Sequence, residues 1–451
     1  MKKNKYEIDM CNGSIMDKLI SFALPLMLSG ILQLMFNAVD LVVVGHFSGQ
    51  EALAAVGSTT ALIAVFTNLF IGISLGANVL AARFYAAGRE KEMSETVHTS
   101  IMLALISGVA MAIVGAIFAK ETLQLMDTPD NVIDLSTLYM RIYFMGMPFF
   151  MLYNYGAAIL RAVGDTKRPL LFLIVSGVSN AILNMILVIA FNLGVAGVAI
   201  GTVMSQLMSC VLVLRCLCKT QSSYQLHFDR LAIKGDYVKL IFQVGIPAGI
   251  QSTVINFSNV LLQSSVNSFG ATAMAGYTAA NNLLGFLYVS VNAVTQACMS
   301  FTSQNYGVGK YKRMDRVLLD CLGLTVVVAG VLGLGVYLFG PQILCIYTSE
   351  ADVISCGMEI LSITTIPYFL CGIMDLFPGA LRGMGYSAVP MVLSVIGTVG
   401  TRILWIYGFF PHNRTLFFLF ISYPGSWLIT IVMQVICYLY VRKRCVGAQK
   451  V

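Results

Sequence analysis

Leu34 to Gly57 reads LMFNAVDLVVVGHFSGQEALAAVG. One carboxylate, Asp40, stands between Val39 and Leu41 at the far end of an apolar run that begins near Ile15. An ionised Asp in hydrocarbon costs about 2.5 kcal/mol or more, so such a residue turns toward a protein interior or a wet cavity. Asp40 is therefore the first candidate for an ion or proton site. The competing interpretation is a carboxylate that pairs with a nearby donor and only ties helices together.

The rest of the chain repeats this apolar character. Of its 451 residues 58% are hydrophobic and 11% charged, with a mean hydropathy of +0.82, far more apolar matter than a soluble core buries. A span needs about 20 mostly apolar residues. Twelve segments qualify, near 18–45, 52–82, 93–119, 131–160, 168–191, 194–218, 237–266, 273–304, 314–340, 353–381, 388–410 and 414–441. The fold class expected is an all-α polytopic membrane protein.

Charge sets the orientation. The N-terminus, the loops after the even-numbered spans and the C-terminus hold 24 of the 28 Lys and Arg, among them Lys2, Lys3, Lys5, Arg89, Lys91, Lys167, Arg230, Lys310 and Arg442, whereas the opposite side has Lys120 and Arg414. Both termini are expected in the cytoplasm of a multi-pass inner-membrane protein. The basic residues form short clusters close to the membrane, which argues against nucleic acid. The polar N-terminus is too long for a cleaved signal peptide, so the first apolar segment is expected to remain as a span. Eleven cysteines without a CxxC pair read as small apolar residues. The four histidines are scattered, so no metal cluster is expected, and no Walker-type spacing follows the Gly-rich patches. With no enzyme motif and no cofactor, energy must come from an ion gradient or a partner protein.

The sequence also matches itself at a spacing of about 221 residues. Pro25 falls on Pro247; ARFYAAGREKEM, Ala82 to Met93, falls on SQNYGVGKYKRM, Ser303 to Met314; and LRAVGDTKRP, Leu160 to Pro169, falls on LRGMGYSAVP, Leu381 to Pro390. Two six-span lobes follow, 1–218 and 237–451, joined by a cytoplasmic linker at 219–236. An even number of spans per repeat gives both lobes the same orientation, the parallel arrangement of many secondary transporters. Pro25, Pro148, Pro247 and Pro367 fall inside spans and mark bends or hinges. Gly72 and Gly76 read as small residues for close helix packing.

Polar residues interrupt the spans of both lobes. In the first lobe, Asn180 and Asn184 lie one helical turn apart and Thr202 and Gln206 repeat that spacing, with Asn37, Tyr139 and Asn154 on other spans. Asp40, Asn180, Asn184, Tyr139 and Thr202 are the candidates for a cation-coupling site, and Asn37, Asn154 and Gln206 for the substrate cavity. The second lobe offers Asn256, Asn259, Gln263, Asn281, Asn282, Asn292 and Asp375, of which Asn256, Asn259, Gln263, Asn282 and Asp375 are assigned to the cavity. Arg402 lies well inside the apolar run of span 11, with no evident partner. The alternative for the polar groups is an ordinary interhelical network worth about 0.6 kcal/mol per contact.

Together, VDLVVVGHFSGQEALAAVG, YNYGAAILRAVGDTKRP, VNSFGATAMAGYTAAN and GALRGMGYSAVP resemble the multidrug and toxic compound extrusion (MATE) family, and within it bacterial DinF-like members. The resemblance covers nearly the whole chain. It implies two six-helix bundles around a central cavity and export of amphipathic, often cationic, organic compounds in exchange for protons or sodium. Asp40 matches the family's coupling acid on span 1, and Asn180 a polar residue of its first-lobe pocket. Two departures stand out: Asn184 occupies a position where that branch usually has an acid, and Pro247 to Phe257 lacks the glutamate of the NorM-like branch. The expectation is a monomeric exporter working by alternating access, with sodium near Asp40 the only metal ion in question. Two rivals are a lipid-linked saccharide flippase of the same superfamily, which suits a more basic cavity, and a passive channel, which suits filter rings from an oligomer.

Overall fold

A computed structural model of the chain describes residues 6–126 and 128–447; Lys2, Lys3 and Lys5 lie outside them. The described residues form helices and no strand. Among the described residues ten helices are long and apolar enough to cross a membrane, or eleven if a bent pair counts as one span. They include α1 (Met16–Phe47), α2 (Gln50–Ala86) and α3 (Glu90–Gln124). The expected span at 131–160 is a pair of 16-residue helices, α4 (Asp130–Met145) and α5 (Met147–Ala162), broken at Gly146. Next come α6 (Lys167–Met185), extended by a π-helical turn at Ile186–Ala190, and α7 (Gly194–Lys219). In the second repeat α8 (Gly235–Asn267), α9 (Ala271–Gly307) and α10 (Tyr311–Leu338) are followed by the short α11 (Gly340–Leu344). The expected span at 353–381 is α12 (Ala351–Thr365) and α13 (Tyr368–Gly383), bent by 48° at their junction. The eleventh expected span is α14 (Ala388–Ser394) and α15 (Thr401–Leu404), separated and followed by π-helical turns at Val395–Gly400 and Trp405–Phe409. The short α16 (Leu416–Phe420) leads into α17 (Ser422–Gly447).

The four prolines act in two ways. Pro148 and Pro367 sit at the breaks that open α5 and α13, where a missing N–H costs nothing because the first turn has no partner for it. Pro25 and Pro247 lie inside helices that run on through them.

By its internal contacts the chain divides into two compact units, Met1–Asp9 with Leu28–Gly249, and Met10–Met27 with Ile250–Val451. The division therefore falls inside α1 and inside α8, a short distance beyond Pro25 and Pro247, and not at 219–236. The linker expected there is folded onto the first unit. Within it, His227 N–H donates to Nε2 of buried His98 on α3 at 3.1 Å, and Lys234 N–H to Thr99 Oγ1 at 3.4 Å. Tyr224 donates to Glu7 at 2.7 Å, as does Tyr85 at 2.8 Å. Burial pushes the Tyr224 phenol up to about 12, so it stays a donor at neutral pH. Beside it, Asp165 accepts from both the backbone and the guanidinium of Arg168. Burial pushes the Asp165 carboxyl up, against the opposing pull of that guanidinium.

Each unit has a core of its own. In the first, Phe144, Met147, Met151 and Tyr155 are enclosed by α2, α3 and α7. In the second, Leu361, Leu419, Phe420 and Trp427 are buried in one cluster that includes Tyr277 of α9, whose ring packs on Phe420. Gly72 and Gly76 of α2 meet Gly245 and Gly249 of α8 so closely that a Cβ at any of the four would overlap backbone across the seam. Small residues spaced four apart permit this approach. The repeat is visible in the backbone as well. Gly88 and Gly309 have φ of 67° and 70°, and Gly164 and Gly385 have φ of 94° and 92°. These left-handed turns, which disfavour side chains, are why the matched motifs share glycine at the same places.

Candidate functional site

In the first unit, α1, α4, α6 and α7 bring together most of the polar residues expected there. Asp40 is half-buried on α1, and Asn184 of α6 donates through Nδ2 to its Oδ1 at 2.6 Å. That amide also lies 3.5 Å from Asn180 Oδ1 one turn earlier, and Asn180 Nδ2 lies 3.5 Å from Thr202 Oγ1 on α7. Thr202 spends its own proton on the carbonyl of Val198, at 2.9 Å. The result is a file of amides and a hydroxyl ending on one carboxylate. No Lys, Arg or His lies within ion-pair distance of Asp40 among the described residues. Asn184 Oδ1 is buried and has no partner.

Local structure explains why Asn184 reaches Asp40. Gly201 of α7 faces it; a Cβ there would overlap Asn184 Oδ1 and lie 3.2 Å from Cγ. Immediately after Asn184 the helix widens into the π-helical turn Ile186–Ala190, a feature that recurs at functional sites. Across the site, Tyr139 of α4 is buried and stacked on Tyr143 one turn later, with ring centroids 6.1 Å apart. Both phenols are within electrostatic reach of Asp40, and Tyr143 also faces Gln206. Tyr143 was not singled out from the sequence, although its spacing from Tyr139 puts both on one helical face. Two candidates lie apart. Asn37 is exposed, and Asn154 donates to the carbonyl of Phe150 on its own helix at 2.8 Å, an i to i−4 bond that satisfies it locally.

In the second unit the candidates form two groups. Asp375 of α13 is half-buried and feels the guanidinium of Arg382; Tyr288 of α9 lies beside it. Arg382 itself donates to Gln251 at 2.6 Å, and Gln296 to Asn292 at 2.9 Å. The other group surrounds Arg402, which donates through Nη1 to Asn259 Oδ1 at 2.9 Å and lies 4.1 Å over the ring of Tyr423. Gln263 donates to Asn267 at 3.0 Å, while Asn256 and Asn282 are exposed.

A cleft of about 590 Å³ lies elsewhere in the first unit, between the first turns of α3 and the 219–236 segment. Its lining mixes Lys91, Arg230 and Lys234 with Glu90 and Glu95. No lining residue has a buried side-chain atom without a partner, which sets this cleft apart from the Asp40 group.

The chain is similar to known membrane proteins over nearly all its length. The MatE family model matches residues 25–186 and 247–407, the two repeats. A probable multidrug resistance protein of Bacillus subtilis, YoeA, is 29% identical over 94% of this chain and 93% of its own. The probable multidrug resistance protein NorM of Thermotoga maritima is 26% identical over 86% of this chain and 84% of its own. Among solved structures, an outward-facing multidrug resistance MATE family transporter of the MOP superfamily superposes with a TM-score of 0.89 at 20% identity, covering 100% of both chains.

Proposed function

The chain belongs to the MatE family, a family of transporters and not of enzymes, and from that premise we propose that it exports amphipathic organic compounds across the bacterial inner membrane in exchange for a proton or sodium ion bound at Asp40. The observation that carries this reading is the Asp40 group itself. A carboxylate held by one amide donor, with no basic side chain in ion-pair range among the described residues, leaves its charge to be met from outside the protein. The buried Asn184 Oδ1 beside it offers a second oxygen, the ligand type that suits a hard cation.

The role of each residue follows from its contacts. Asp40 takes the ion. Asn184 orients the carboxylate through its N–H, and Asn180 and Thr202 hold Asn184 in turn. Tyr139, which is buried, and Tyr143, which is half-buried, stack within electrostatic reach of the carboxylate and line one side of the site. Coupling then requires that the ion bind one access state better than the other, since a ligand shifts an equilibrium only by its differential affinity. Transport by alternating access in a monomer with both termini cytoplasmic completes the proposal.

Dye export from inverted vesicles, under separately imposed proton and sodium gradients, tests it. Asp40→Asn keeps hydrogen-bonding atoms and removes a half-buried charge that no ion pair holds, so the expected result is an inserted, folded protein without gradient-driven efflux. Parental efflux by Asp40→Asn under both gradients would overturn the coupling role and direct attention to Asp375.

A further inference from the structure

We propose that Arg402 is a receptor for an acidic group, a carboxylate above all, on the compounds this protein moves, so that the second unit admits anionic or zwitterionic amphipathic molecules. The inference rests on the export reading above and names a substrate class for it.

Arg402 is 3% exposed, in the middle of an apolar helical stretch. A guanidinium has five N–H donors in a rigid fork. Here Nη1 donates to Asn259 Oδ1 at 2.9 Å and lies 3.4 Å from Ser258 Oγ, and the ring of Tyr423 covers one face. All three partners are neutral. Nε is buried and has no partner. Among the described residues no carboxylate comes within ion-pair distance of Arg402, and the half-buried Asp375 lies within electrostatic reach of Arg382. An uncompensated buried charge is costly. One side of the fork, with Nε at its root, is left for a group that accepts two parallel hydrogen bonds, which is the geometry of a carboxylate.

Two further observations bear on access and on place. Asn256, one turn before Asn259 on the same face of α8, is exposed, and Asn259 is half-buried. Polar groups thus lead stepwise from the surface to Arg402, and an exposed amide on a spanning helix is expected to face water and not lipid. Arg402 also lies on the single α-helical turn Thr401–Leu404 between the π-helical turns Val395–Gly400 and Trp405–Phe409, an irregularity associated with function. The spacing that puts Pro25 on Pro247 puts Asn37 on Asn259, and the spacing that puts Arg161 on Arg382 puts Ala181, next to Asn180, on Arg402. The repeat thus uses equivalent helices twice, with a carboxylate in the first copy and a guanidinium in the second.

The test measures binding to the purified full-length protein in detergent by fluorescence anisotropy, with no gradient present. The probes are rhodamine B, which has a free carboxylate, and rhodamine 6G, in which that group is an ethyl ester. Arg402→Gln is expected to weaken rhodamine B about tenfold or more relative to rhodamine 6G, the scale of one charge-assisted hydrogen bond. Arg402→Lys, which keeps the charge and loses the fork, should fall between. Equal effects on both dyes, or none on either, would overturn the proposal. If Arg402→Gln does not fold, the unsubstituted protein decides: naphthoate should displace rhodamine B and spare rhodamine 6G, and displacement of both or neither counts against a carboxylate receptor. Because these measurements need no gradient, a failed coupling experiment on Asp40→Asn and a failed carboxylate preference are separate results.

Discussion

Gly201→Ala should uncouple efflux by moving one amide. A Cβ at position 201 overlaps Asn184 Oδ1, and real Cβ contacts below 3.0 Å are essentially never seen, so the Asn184 head must move by about 1 Å. Its bond to Asp40 is 2.6 Å long, and a shift of that size carries it past the hydrogen-bond limit. A hydrogen bond to a charged group contributes about 1.5–3 kcal/mol, so the predicted loss in gradient-driven efflux is about tenfold to a hundredfold. Overpacking should also lower stability by about 1–3 kcal/mol. The decisive comparison is a double-mutant cycle, with initial rates of dye efflux from inverted vesicles and thermal unfolding midpoints in detergent as readouts. Since the remaining neighbours of that Cβ are the Cγ of Asn184 at 3.2 Å and its backbone N at 3.4 Å, Asn184→Ala removes the obstruction. Gly201→Ala should therefore cost little once Asn184→Ala is present. If the methyl is equally harmful in both backgrounds, it does not act through Asn184 and the reasoning fails.

Three other outcomes follow from the same structure. Gly76→Ala overlaps the Ile241 carbonyl across the α2–α8 seam and should destabilise the protein by about 1–3 kcal/mol; an unchanged thermal midpoint in detergent would contradict the seam. His98→Phe leaves the His227 N–H without its acceptor, so trypsin should cleave faster at Arg230 and Lys234; cleavage at the parental rate would show that this bond does not hold the segment. Cys345, an exposed cysteine between spans 9 and 10, should react with a membrane-impermeant maleimide in intact cells when the other cysteines are removed, and protection from it would reverse the orientation expected from the charge distribution.

The elements were legible because their causes are local. Hydropathy marks spans wherever backbone groups must satisfy themselves in lipid, and glycine is required wherever the chain turns through positive φ, as at Gly88 and Gly309 or Gly164 and Gly385. The unit boundaries had no such cause. Whether residues 10–27 pack with one half of the chain or the other depends on contacts hundreds of residues distant, such as Asn305 donating to the Met10 carbonyl at 3.1 Å. Composition does not encode that partner. In the 219–236 segment polarity alone reads as a linker, whereas the packing is set by distant groups: Tyr224 and Leu226 are buried and the backbone is held by His98 and Thr99. Among the site candidates, Asn154 and Asn184 look alike in sequence, each an amide in an apolar span. What separates them is the neighbouring helix, since Asn184 faces a glycine and an acid while Asn154 turns back on its own turn.

Charge in an apolar span raises the same cost wherever it occurs, so how each charge is met distinguishes structural roles from transport roles. Asp165 and Arg168 solve the problem within three residues, at the end of a helix, and need nothing further. Asp375 and Arg382 lie two turns apart on α13 within electrostatic reach of each other, and Gln251 accepts one proton of the guanidinium. Asp40 and Arg402 are each held by side-chain amides, hydroxyls or rings, and among the described residues each lacks an opposite charge at ion-pair distance. Neutral partners orient a charge but do not cancel it. A fold with a carboxylate in one repeat and a guanidinium in the equivalent helices of the other therefore has two places where a mobile species of defined sign completes the electrostatics. In this reading a cation serves the first and an acidic substrate group the second. The two sites answer to different assays: an imposed gradient for Asp40, and a carboxylate-bearing dye against its ester for Arg402.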